Sequence, residues 1–156
     1  MQTPLSEQTS HLFRTLGLIF TALVVVQLVA FVVLFQTKQT NEEMNSVLQL
    51  IAGILAVGAI LGAPFIYMNL LRSRITSKTP LEEKLRHYFT ANIMKLAILE
   101  GAALFCLISL FITGKIVHAY LFMAVFFSFM LHRPTPSKCA ADLQLTEEDK
   151  NQMVGK

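Results

Sequence analysis

Four long apolar runs fill most of this 156-residue chain, and they constrain its fold before any motif is weighed. A run of roughly 20 apolar residues crosses the ~30 Å hydrocarbon core of a bilayer as a helix. Inside lipid only helices and closed barrels satisfy their own backbone hydrogen bonds. The runs cover about Leu16 to Phe35, Val47 to Leu71, Tyr88 to Thr113 and Ile116 to Leu131. They predict an all-α polytopic membrane protein: four transmembrane helices in an antiparallel bundle over residues 1–133, then a polar cytoplasmic tail over residues 134–156. With 54% hydrophobic residues and a mean hydropathy of +0.56, the chain is far more apolar than a soluble domain of its size. The first run is too long for a signal-peptide core and no small-x-small cleavage site follows it, so it reads as a retained span.

The charges set the orientation. Arg14, Arg72, Arg74, Lys78, Lys84, Arg86, Arg133 and Lys138 fall on one side of a four-span arrangement, and only Lys38 and Lys115 on the other. By the positive-inside rule both termini are expected in the cytoplasm, with the basic loop of Arg72, Arg74, Lys78, Lys84 and Arg86 beside them. This pattern fits a multi-pass protein of the cell membrane, on balance a bacterial inner membrane. The net charge of +3 sits at membrane edges rather than on a soluble face, so no nucleic-acid partner is expected. Thr113-Gly114-Lys115 is a tight hairpin turn, and Pro80 with Glu82 and Glu83 reads as the start of the third helix.

The second run carries the packing signal. Ala52, Ala56, Ala59 and Ala63 recur on one stripe, and Gly58 and Gly62 form a GxxxG pair on a neighbouring one. Small residues let helices approach closely where lipid gives no hydrophobic drive to associate. The stripes therefore predict packing inside the bundle, with homo- or hetero-oligomerisation through the second and third helices, or a ligand-lined groove, as the other uses. Pro64 removes one backbone donor from this helix.

Glu100 lies in the middle of the third run. A charge at the centre of a lipid helix costs about 2.5–3.5 kcal/mol even on a lenient insertion scale. Its carboxyl must stay protonated or face a partner or water. Counting residues inward from the basic loop puts Glu100 level with Ala59 to Gly62, its carboxyl expected beside that small-residue patch, and no side chain on its own helical face can pair with it. Lys95 is expected to snorkel to the headgroups.

Around Glu100 the sequence Ile98-Leu99-Glu100-Gly101-Ala102-Ala103-Leu104-Phe105 follows a basic loop and a small-residue helix. The stretch Ile51 to Thr113 resembles, in part, the helical hairpin of the proteolipid (c) subunits of rotary ATPases. That resemblance implies an oligomer in which Glu100 is the ion-binding carboxylate. Glu83, Arg86 and Asn92 are similar to the acidic/Arg/Asn cluster of membrane glutathione transferases, but follow the second span rather than the first.

Catalytic and cofactor signals are otherwise missing. Cys106 and Cys139 lie at different depths and form no CxxC pair. His11, His87 and His132 fall near the inner boundary and His118 near the outer one, each expected at the interface, and no metal or cofactor is expected. In the tail, Ser137 is expected to cap a short helix over Lys138 to Leu143, and Thr146 another. Leu143, Leu145 and Met153 offer an apolar contact, so the tail either frays or docks on the loop Arg72–His87 or a cytoplasmic partner. The expected function is a non-enzymatic integral subunit or accessory protein of a larger membrane assembly. Proton or ion translocation through Glu100 is the alternative, and a glutathione-transferase-like enzyme the third.

Overall fold

The computed structural model describes residues 5–37, 45–76 and 79–154. These form six helices and no strand: α1 (Leu5–Thr37), α2 (Asn45–Arg74), α3 (Leu81–Thr113), α4 (Ile116–Leu131), α5 (Pro136–Asp142) and α6 (Glu147–Val154). Lys38 and Lys78 lie outside the described residues, as does the side chain of Met153.

Three helices, α1, α2 and α3, are long and apolar enough to cross a membrane. The 16 residues of α4 reach ~24 Å, short of a full hydrocarbon core. It becomes a fourth candidate only together with α5, from which it is bent by 80°. The break has a local cause. Pro134 and Pro136 follow the end of α4, and a residue preceding proline is pushed out of the helical region.

The ends of the helices follow from their residues. Pro80 is the N-cap of α3 rather than its first helical residue. At the other end Gly114 adopts φ 66°, and its N–H donates to the Leu110 carbonyl. That left-handed conformation is cheap only for glycine, so α3 stops there and α4 begins at Ile116. Helix α2 runs unbroken through Pro64.

At the centre of the molecule α3 packs against α1, α2 and α4. Its Leu96, Leu99, Ala103, Cys106 and Leu107 are buried against Ala52, Ala56, Ala59 and Ala63 of α2 and Phe122, Val125 and Phe129 of α4. The alanine stripe is thus the flat wall that bulky side chains from two neighbours fill. Aromatic pairs join α1 to α4, with Phe20 stacked on Phe129 at 5.0 Å and Phe31 on Phe122 at 5.1 Å between centroids. The opposite faces of α1 and α2 expose Val25, Val29, Val32, Ile54, Leu61 and Phe65, which is the pattern of a surface solvated by lipid.

Gly58 and Gly62 differ from the alanines. Nothing in the chain comes within 4 Å of where a Cβ would stand on either glycine, so this pair makes no close helix approach within the described chain. The two stripes are offset by one residue, ~100° around the helix, so α3 and α4 cover the first while the second stays open.

This asymmetry predicts opposite mutational effects. Ala56→Leu should overpack the wall and cost about 1–3 kcal/mol, whereas Gly58→Ala should be neutral or add up to ~1 kcal/mol through helix propensity. Reversible unfolding in mixed dodecylmaltoside–SDS micelles, followed by circular dichroism, checks both.

Candidate functional site

Two polar constellations interrupt the apolar packing, one at mid-depth and one at the end where α2 meets α3. The first is a pair. Gln27 Nε2, from the middle of α1, donates to Glu100 Oε2 in the middle of α3. Gln27 is fully buried, and its Oε1 has no hydrogen-bond partner among the described residues.

The level reached by Glu100 agrees with the residue count, since Gly58 and Gly62 of α2 and Ala97 and Gly101 of α3 line one groove on either side of that height. Its direction does not. The carboxyl faces α1 rather than the small-residue patch of α2, because Glu100 lies ~100° around the helix from Gly101. Depth along a helix can be counted from sequence, but the direction a side chain takes depends on which neighbour packs there. A usable signal existed: Gln27 and Glu100 each sit at the midpoint of their apolar run.

The second constellation lies where the tail folds back. Cys139, Leu143 and Leu145 are buried with Leu16, Tyr67, Leu71, Leu81, Leu85 and Tyr88. The tail therefore docks on the helix ends instead of fraying. Thr135, not Ser137, caps α5: its Oγ1 accepts from the Lys138 N–H at 3.3 Å, and Pro136 takes the first turn, where its fixed φ is favourable. Thr146 caps α6 as expected, accepting from the Asp149 N–H at 3.2 Å while Asp149 Oδ2 accepts from the Thr146 N–H at 3.4 Å.

Three further contacts fasten the tail. Tyr67 O–H donates to Asp142 Oδ2 at 2.5 Å, Lys84 Nζ lies 3.5 Å from Asp149 Oδ2, and Lys138 Nζ donates to the Leu131 carbonyl at 2.6 Å. Lys95 does not snorkel outward. It is buried with Nζ 3.9 Å from the centre of the Tyr67 ring, a cation–π contact to the same tyrosine whose hydroxyl the docked tail engages through Asp142. Asn92 is buried beside this group, donating from Nδ2 to the Tyr88 carbonyl at 2.9 Å. It is thereby turned away from Glu83 and Arg86, which line a separate pocket.

The remaining candidates scatter. Arg72, Arg74 and Arg86 are exposed at this end, while Lys84 is largely buried under the tail. His87 Nε2 lies 3.5 Å from Glu83 Oε1. His118 is not interfacial: it is fully buried in the first turn of α4, and neither ring nitrogen has a partner among the described residues. Cys106 and Cys139 are both free and buried. Among the described residues no three His, Cys, Asp or Glu side chains gather as metal ligands would. No family model, curated protein or solved structure matches the chain.

The buried tail makes Cys139 a reporter. Burial first, and then the nearby Asp142 carboxylate, push its thiol up to about 12. The reactive thiolate is therefore scarce at neutral pH in the docked state and returns to ordinary levels when the tail opens. A hydrogen bond to a charged group contributes about 1.5–3 kcal/mol, so Tyr67→Phe should raise the rate of maleimide labelling at Cys139 about ten- to hundredfold at pH 7. Mass spectrometry of the labelled chain reads this out, and an unchanged rate would remove Tyr67 from the latch.

Proposed function

We propose that the chain is a small, non-enzymatic integral subunit or accessory protein of a larger membrane assembly, crossing the membrane four times with both ends cytoplasmic. In this reading Glu100 specifies how α1 associates with α3. The observation that carries it is the Gln27–Glu100 hydrogen bond. It spends the one acidic side chain of the apolar interior on a partner within the chain, and the carboxyl points away from the groove between α2 and α3. Gln27 Oε1, left without a donor, is what a neutral carboxyl would engage in return, closing a two-way acid–amide pair that needs no ion.

Four crossings are supported by the company kept at the tail end. Leu16, Leu71, Leu81 and Leu143 share one buried cluster, as an even number of crossings requires. Arg14, Arg72, Arg74, Lys84, Arg86, Arg133 and Lys138 lie in the segments flanking that cluster, the distribution expected of a cytoplasmic face.

Interhelical hydrogen bonds in membranes contribute about 0.6 kcal/mol on average and up to ~1.7. Glu100→Gln preserves an amide partner for Gln27 and should keep both stability and assembly, while Gln27→Leu leaves the carboxyl unpaired and should lower stability by about 1 kcal/mol or more. Both variants are to be extracted from native membranes in mild detergent, with the mass of the complex and its co-purifying chains identified. Recovery of a fixed set of other proteins with wild type and Glu100→Gln supports the proposal. A homo-oligomer without partners, and loss of proton flux in liposomes on Glu100→Gln, would overturn it in favour of ion translocation.

A further inference from the structure

One side of the seam between α2 and α3 is open along much of its length, and its chemistry changes from one end to the other. At the end near the docked tail lies a pocket of about 370 Å³ lined by Arg74, Glu83, Arg86, His87 and Thr90 with Leu70 and Ala91 as walls. Further along lies an apolar groove of about 510 Å³, floored by Gly58, Gly62 and Gly101. The two belong to one face. On α3 the lining steps from His87 through Thr90 to Ala97 and Gly101, and on α2 from Arg74 through Leu70 to Ile66 and Gly62. These intervals of three, four and seven residues keep one side of a helix in view.

The charge balance of the pocket is positive. Glu83 is engaged with His87 at 3.5 Å, and Thr90 Oγ1 is spent on the Arg86 carbonyl at 3.1 Å. Neither Arg74 nor Arg86 has a carboxylate within ion-pairing distance among the described residues. Two guanidinium groups at the mouth of an apolar groove match a phosphate, which they can hold through paired N–H donors.

The dimensions match as well. From Arg86 to Gly101 the helix rises ~22 Å. Half of a bilayer including its headgroup region is also ~20–22 Å. A phosphate at the arginines therefore places an acyl chain in the groove, ending near the midplane where Glu100 and Gln27 meet. The glycines suit this use, because no atom of the chain comes within 4 Å of where a Cβ would stand on Gly58, Gly62 or Gly101.

We propose that the α2–α3 seam is a binding site for one anionic phospholipid, its phosphate held by Arg74 and Arg86 and one acyl chain lying over Gly58, Gly62 and Gly101. Basic pockets between helices at the membrane edge recognise lipid headgroups in this way. The pair of arginines without carboxylate partners at the groove mouth matches a phosphate headgroup followed by an acyl chain.

The purified chain in mild detergent is to be titrated with dioleoyl phosphatidylglycerol, dioleoyl phosphatidylcholine and inorganic phosphate, reading retained lipid by native mass spectrometry and stability by thermal unfolding. One phosphatidylglycerol per chain is expected to be retained at least about tenfold more tightly than phosphatidylcholine, with inorganic phosphate unable to displace it. Arg74→Gln with Arg86→Gln should abolish that preference while leaving the lipid-free unfolding temperature unchanged. Gly62→Leu with Gly101→Leu should fill the groove and weaken retention of both lipids. Equal retention of the two lipids by wild type, or an unchanged preference in the arginine variant, overturns the proposal. Displacement by inorganic phosphate would reassign the pocket to a soluble anion. A dimer that only the glycine variant dissociates would reassign the groove to a second copy.

Discussion

Hydrocarbon surrounds the long helices, so burying a leucine between them gains little over leaving it in lipid. Association must come from fit and from polar contacts that lipid cannot provide. Both are present. The alanine wall of α2 is buried with the leucines of α3 and the phenylalanines of α4, and such close side-chain contact gains dispersion energy. α1 lacks such a wall. It is held instead by stacked phenylalanines and by one hydrogen bond at mid-depth, Gln27 to Glu100.

At the far end of the helices the solvent changes and so does the method of holding. Where headgroups and water begin, apolar burial is again favourable, and the tail uses it: Cys139, Leu143 and Leu145 close over Leu16, Tyr67, Leu71 and Tyr88. Under the tail, Tyr67 pairs with Asp142 and Lys84 with Asp149, while Arg72, Arg74 and Arg86 stay exposed. Tyr67 serves two groups at once, donating its hydroxyl to Asp142 and presenting its ring to Lys95.

Much of the architecture was legible in the sequence because membrane helices announce themselves by length and hydropathy. The helical class, the turn at Gly114 and the cap at Thr146 follow from local residue chemistry alone. What the sequence left open is azimuth and docking. The residue count gave the height of Glu100 but not that it turns toward Gln27, since the rotation of a helix is fixed by neighbours far away in the chain. The same ignorance hid the role of Lys95, whose inward turn requires knowing that Asp142 comes back to Tyr67 from 75 positions later. Ser137 was the local choice for a cap, and Thr135 displaced it because Pro136 occupies the first helical turn more favourably than Ser137 does.

The docked tail also orders events during synthesis. Residues 136–154 follow all four apolar helices, so elements made after them supply Cys139, Leu143 and Asp142 to a cluster whose other members, Leu16 and Tyr67, left the ribosome earlier. Until then Leu16, Tyr67 and Lys95 stand uncovered at the membrane edge. This end of the bundle is therefore closed only after the apolar region has been translated, through native contacts of high sequence separation.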